Sequence, residues 1–133
     1  MQKYDLTKCP CGSGKPYQEC CEELHSGKRQ AETPTELLRG RYTAYALQNG
    51  DYVKASWHPD FCPAVPPRFM VSDYRKIKLT RLEILREEIT GDTGVVEYIA
   101  RLRVGTRFDY IHEIANYVKT GGRWYYTDGN QLH

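Results

Sequence analysis

The chain has 133 residues, enough for one domain with at most a small appended module, which excludes two independent catalytic domains. Lysine and arginine number 19 against 17 acidic residues, too even a balance for a global field that gathers nucleic acid. No run approaches the ~18 apolar residues needed to span a bilayer, and MQKYDLTKCPC lacks a signal-like apolar stretch, so the chain reads as cytoplasmic.

Four of the five cysteines, Cys9, Cys11, Cys20 and Cys21, fall in the first 21 residues, a segment too poor in apolar side chains to build a core. In a reducing compartment such a cluster points to a metal or to catalysis rather than to disulfides. The spacing C-x-C, eight residues, C-C suits one tetrahedral zinc ion, because Gly12-Ser13-Gly14 makes the returning loop sterically cheap. Lys8 and Lys15 would offset part of the excess negative charge of four thiolates. The competing readings are weaker. Adjacent Cys20 and Cys21 do not readily bridge, and the spacing is not that of a ferredoxin. A phosphate loop at Gly12-Ser13-Gly14-Lys15 fails because Pro16 stands where Ser or Thr would hold magnesium and no strand precedes it.

The polar stretch after Glu22 marks a boundary, so the expected division is a zinc knuckle over 1–24, a linker over 25–32 and an α+β domain over 33–133. Thr33-Pro34-Thr35-Glu36 combines a capping threonine, a proline at the first helical position and a glutamate at the third, which predicts a helix from about Pro34. Leu38, Tyr42 and Tyr45 share one face of it and Asn49-Gly50 ends it. A shorter helix is predicted from Asp51 to Trp57, and four prolines between His58 and Ser72 predict a loop.

From Lys78 the pattern becomes extended. A first strand ends near Thr90 at the turn Gly91-Asp92-Thr93-Gly94. On the return strand Val96, Tyr98, Ala100, Leu102 and Val104 alternate with Glu97, Arg101 and Arg103, with Ile99 the apolar exception on the polar face. After Gly105-Thr106, the residues Phe108, Tyr110, His112, Ile114, Asn116 and Val118 are expected on the inner face of the third strand, and Gly121-Gly122 leads to a fourth over Arg123–Asp128. Helices followed by a meandering antiparallel sheet define an α+β fold with helices covering one face.

CPCGSGKPYQECC resembles the SEC-C motif, known from the C-terminus of the SecA translocation ATPase, with Cys21 in the place of the last ligand. Arg39-Gly40-Arg41-Tyr42, Trp57-His58-Pro59, His112-Glu113 and Gly122-Arg123-Trp124-Tyr125-Tyr126 with Asp128-Gly129 are similar to the YchJ family of uncharacterised bacterial proteins. That resemblance implies a cone-shaped domain like nuclear transport factor 2, with a cavity between helices and concave sheet. Tyr42, Tyr45, Trp57, His58, Tyr98, His112, Trp124 and Tyr126 are the candidates to line it.

His112 is the candidate general base, with Asp128 to orient it and Tyr42 or Tyr126 to polarise a carbonyl, but a satisfied structural histidine is the commoner outcome. His58 reads as a complement to a helix dipole and Cys62 as an incidental thiol. Arg68, Arg75, Lys76, Lys78, Arg81 and Arg86 form the one local basic excess, explained equally by a charged sheet edge and by an RNA surface. The leading expectation is a non-enzymatic adaptor that meets another protein through its zinc knuckle. The alternative is a small-molecule binder or enzyme that uses the cavity. A side-chain-filled cone favours the first and an open cavity the second.

Overall fold

In the computed structural model, which describes residues 4–133, a 3-10 turn at Tyr17–Glu19 leads into helix α1 (Cys21–His25). Helices α2 (Pro34–Ala46), α3 (Gly50–Ala55) and α4 (Pro67–Met70) follow, then strands β1 (Lys78–Thr90), β2 (Thr93–Val104), β3 (Arg107–Thr120) and β4 (Arg123–Gln131). Helix α2 begins where its cap dictates: the Thr33 hydroxyl accepts from the Glu36 amide at 3.1 Å, with Pro34 at the first position. Asn49 serves as the cap of α3, accepting from the Tyr52 amide at 3.0 Å, so this helix starts at Gly50 and ends at Ala55, two residues short of the predicted Trp57. The proline-rich segment is less irregular than expected, because Pro67 supplies the preset first turn of α4.

The four strands form one antiparallel sheet in the order β1-β2-β3-β4. Pairing slips between Leu79 and Arg81, between Ile84 and Arg86, and between Asn116 and Tyr117, and such bulges bend long strands into a concave surface. After α3 the chain adds a short parallel bridge to β4, in which the Tyr126 amide donates to Ser56 O at 2.9 Å and the His58 amide to Tyr126 O at 2.8 Å. Trp57 and Tyr126 are thereby held against each other. No helix among the described residues is long and apolar enough to cross a membrane.

Helix α2 crosses the concave side of the sheet with nine of its thirteen residues buried, so both of its flanks are packed. One cluster joins Leu37, Leu38, Val53, Val96, Tyr117 and Trp124. The other joins all four N-terminal cysteines to Tyr42, Ala46, Leu79, Ala100 and Leu102. Although the sequence places a boundary after the knuckle, the cysteines are packed into the same core as α2, β1 and β2. The polar stretch between them is also tied down. Arg29 bridges Glu23 and Glu36 at 2.9 and 2.8 Å, and His25 bonds Tyr17 and Gly40 O, both at 2.8 Å. A polar sequence fixed by ion pairs and ring contacts carries no hydrophobic stripe, which is why it reads as a linker.

The inner face of β3 is the second correction. Ala115 and Tyr117 are buried and Ile111 and Glu113 line the concave side, while Phe108 is 79% exposed and Tyr110, His112 and Ile114 lie on the convex side. β2 pairs with β3 as Tyr98↔Glu113 and Ala100↔Ile111, and directly paired residues share a face. At the far end of β2, Val104 is exposed rather than covered.

Candidate metal centre and cone cavity

The sequence brings the four cysteines together by two tight devices. Gly12 and Gly14 both have positive φ, 83° and 88°, so the loop returns within a few residues, and the Cys9 amide donates to Lys15 O at 2.7 Å to close it. Cys20 and Cys21 then sit where the 3-10 turn passes into α1. All four Sγ atoms lie within 4.8 Å of one another and all four residues are buried. Cys11 and Cys20 Sγ are 3.7 Å apart. That equals the edge, about 3.8 Å, of a tetrahedron built on metal–sulfur bonds of about 2.3 Å, and four convergent thiols fit a metal ion of the soft or borderline type. Donation from Cys21 and Cys9 lowers the Cys11 thiol, while burial pushes the Cys20 thiol up to about 11. A cation would displace the remaining protons.

Three of the four cysteines are braced by the larger domain, and the fourth, Cys20, by the knuckle's own Ser13. Cys9 Sγ lies 3.7 Å from the Thr43 hydroxyl, Cys21 Sγ lies 3.4 Å from Arg39 O, and Arg39 donates to Cys11 O at 2.6 Å. Ser13 Oγ approaches Cys20 Sγ at 3.1 Å. Lys8 and Lys15, expected near the thiolates, are exposed.

The concave sheet and α2 enclose a cavity of about 120 Å³. Of the predicted lining, Tyr42, Tyr45, Tyr98 and Tyr126 are there, joined by Arg41, Glu113, Tyr74 and Tyr117. Arg41 is 5% exposed; its Nη1 donates to Val53 O at 2.9 Å and Ser56 Oγ at 2.7 Å, and its guanidinium stacks over Trp57 and Tyr126. No carboxylate among the described residues lies within ion-pair distance of it. Glu113 Oε1 accepts from the Tyr98 hydroxyl at 2.6 Å. Its carboxylate lies over Gly129, where any Cβ would stand 2.6 Å from it. The Tyr117 hydroxyl is buried without a hydrogen-bond partner among the described residues, surrounded by Arg41, Tyr126, Glu113 and Tyr45. The Tyr42 hydroxyl is likewise unpartnered, on the side of Tyr4 and Cys11. Burial raises the Tyr98, Tyr117 and Tyr126 phenols above the ordinary tyrosine value, so they are neutral donors at physiological pH.

The remaining candidates lie elsewhere. His112 is on the convex face, 2.7 Å from Glu97, and not beside Asp128, which instead accepts from Asn116 at 2.8 Å. The proposed His112–Asp128 pair is thus not formed, because the register of β3 against β4 sets Asp128 opposite Asn116, four residues along the strand from His112. His58 lies beyond the end of α3, accepting from the Asp60 amide at 3.2 Å with its ring against Phe61 and Tyr125. Trp124 is core, packed beside Gly94. Within the basic excess, Arg86 pairs with Glu97 and Glu88 on the convex face and Arg68 stacks on Phe69. Cys62 is half-buried in the proline-rich segment. Arg41, Glu113 and Tyr117 were not anticipated as lining. The signal for Glu113 and Tyr117 was the turn at Gly105-Thr106, which fixes the register of β3 against β2.

Helices on a concave antiparallel sheet, with a buried four-cysteine cluster at one end, define the class: a nuclear-transport-factor-2-like cone with a SEC-C knuckle. The family model described as "YchJ, middle NTF2-like domain" matches residues 33–129 and the SEC-C motif matches residues 7–23, and the chain belongs to this YchJ-like family. A UPF0225 protein of Deinococcus radiodurans is 42% identical over 121 residues, 90% of this chain and 86% of that protein. One from Bordetella pertussis is 37% identical over 92% of this chain and 91% of its own length. Among solved structures, the solution structure of a SEC-C motif containing protein from Rhodopseudomonas palustris superposes with a TM-score of 0.86 at 34% identity, covering 95% of this chain and 99% of the other. A SEC-C motif containing protein from Psychrobacter arcticus, 22% identical, shares the fold with a TM-score of 0.79 over 92% of this chain and 81% of its own.

Proposed function

We propose that this chain is a small-molecule-binding cone whose base is stapled by one zinc ion held by Cys9, Cys11, Cys20 and Cys21. The cavity lined by Arg41, Glu113 and Tyr117, with the Tyr117 hydroxyl buried and unpartnered among the described residues, carries this reading. A hydroxyl buried without a partner costs on the order of 1–3 kcal/mol, a cost that a bound polar group removes. Zinc is chosen over other ions because four thiolates at tetrahedral spacing satisfy its geometry without redox chemistry. Binding rather than catalysis is the role assigned to the cavity, since His112, the general base expected from the sequence, faces away from it.

A second reading keeps the expected adaptor role. The knuckle loop Gly12-Ser13-Gly14-Lys15 is exposed although its cysteines are buried, which leaves backbone and one lysine available to a protein partner. The two readings separate in one experiment. A nuclear magnetic resonance screen of fragment-sized polar molecules is expected to shift resonances of Tyr45, Tyr98 and Tyr117. A screen that leaves these unmoved, while cell extract perturbs residues 12–15, would favour the adaptor.

A further inference from the structure

The cavity presents two opposite charges that do not neutralise each other. Arg41 is buried and held by a backbone carbonyl, a serine hydroxyl and two aromatic faces, none of which carries negative charge. Buried cations are ordinarily met by an anion. Tyr45 and Tyr117 add neutral hydroxyl donors beside the guanidinium. Glu113 is half-buried, spends one oxygen on the Tyr98 hydroxyl, and is given its place by the missing side chain at Gly129.

Resting on the reading that the cavity binds a small molecule, we propose that its ligand is a small dipolar carboxylic acid, carrying an amino or hydroxyl group. The ligand's carboxylate accepts from the orphaned Tyr117 hydroxyl beside Arg41, and its donor end meets the Glu113 carboxylate. Each end of such a molecule answers a group that the protein leaves under-satisfied. A plain anion would satisfy Arg41 but bring a like charge towards Glu113. A plain cation would do the reverse. An apolar ligand would leave the Tyr117 hydroxyl as it stands, and a void of about 120 Å³ restricts the ligand to a few heavy atoms.

The test uses the full metal-loaded chain and amide and tyrosine-ring resonances, titrated with glycine and glycolate as dipolar probes. Acetate, ethanolamine and toluene supply the anion alone, the cationic donor alone and the apolar case. Glycine or glycolate is expected to saturate shifts at Tyr98, Glu113 and Tyr117 at concentrations at least about tenfold below acetate or ethanolamine, the discrimination of one charge-assisted hydrogen bond. Tyr117→Phe and Glu113→Gln, which change little volume, should each weaken that binding by about tenfold. If acetate, ethanolamine or toluene saturates the same resonances as tightly as the dipolar probes, or the two variants bind as the wild type does, the proposed ligand class is wrong while the small-molecule reading stands. If no probe saturates the cavity, the small-molecule reading fails with it.

Discussion

The Cys9 Sγ lies 3.7 Å from the hydroxyl oxygen of Thr43, a fully buried residue in the last turn of α2. This contact, with Cys21 to Arg39 O and Arg39 to Cys11 O, packs the four-cysteine cluster against α2. Chelation is therefore expected to destabilise the whole chain. Metal binding to small zinc folds supplies on the order of 10–16 kcal/mol, and here part of that is transmitted through shared core contacts. Thermal unfolding after exposure to a strong chelator should show one transition, shifted down, with resonances of Ala46, Leu79 and Leu102 broadened along with those of the knuckle. An unchanged main transition, with only residues 1–24 collapsed, would restore the two-module picture.

Elemental analysis of protein purified without added metal should give about one zinc per chain. Cys20→Ser removes one of four thiolates and leaves an oxygen too short and too hard to replace it, so retention should fall steeply through gel filtration. Retention equal to the wild type would exclude Cys20 as a ligand. Iron in place of zinc would keep the site and change the ion.

The convex face gives an acid-side prediction. Hydrogen bonds from His112 and Arg86 hold the Glu97 carboxyl below its ordinary value of 4.5. A carboxyl depressed in the folded state binds protons more readily when unfolded, so its stabilisation is present above about pH 4.5 and is lost as pH falls through the lower folded value. Glu97→Gln should lower stability slightly near pH 7, as expected for an exposed pair, and converge with the wild type as pH falls, so that its profile below pH 5 is flatter. His112→Gln should leave small-molecule binding intact, since its ring is on the other face of the sheet; lost binding in a folded variant would contradict the assignment of the cavity.

The fold was legible where local chemistry is decisive. The cap Thr33-Pro34-Glu36 set the start of α2, and Gly91-Asp92 and Gly105-Thr106 set the two hairpins. The inner face of β3 was misread because four of its apolar residues, Phe108, Tyr110, Ile114 and Val118, fall on even positions, and apolar residues ordinarily face inward. Here the concave side encloses a cavity with polar groups in its lining, so Glu113 and Tyr117 point in and much of the apolar set points out. The hairpin contained the answer. A two-residue loop at 105–106 pairs Val104 with Arg107, and counting back pairs Tyr98 with Glu113. Arg41 was not legible at all, since an arginine on a helix gives no sign in sequence that aromatic rings from α3's flank and β4 will close over it.

Two glycines separate the cavity from the core that carries it. A Cβ at Gly129 would stand 2.6 Å from the Glu113 carboxylate, the free end of a flexible side chain, so Gly129→Ala should displace that carboxylate from the Tyr98 hydroxyl without moving backbone. Loss of one hydrogen bond to a charged group, about 1.5–3 kcal/mol, is partly offset by the lower unfolded-state entropy of alanine, about 0.4–1 kcal/mol. A Cβ at Gly94 would stand 2.6 Å from the ring of Pro34 and 3.4 Å from Trp124, both rigid and both in the core. Gly94→Ala should therefore cost more, about 1–3 kcal/mol of overpacking with no compensating movement available, yet leave Glu113 in place. The pair predicts opposite signatures: Gly129→Ala loses binding of glycine or glycolate with a small drop in Tm, and Gly94→Ala loses Tm with binding retained below its transition. Equal loss of binding in both variants would mean that the cavity has no recognition geometry of its own beyond the stability of the cone.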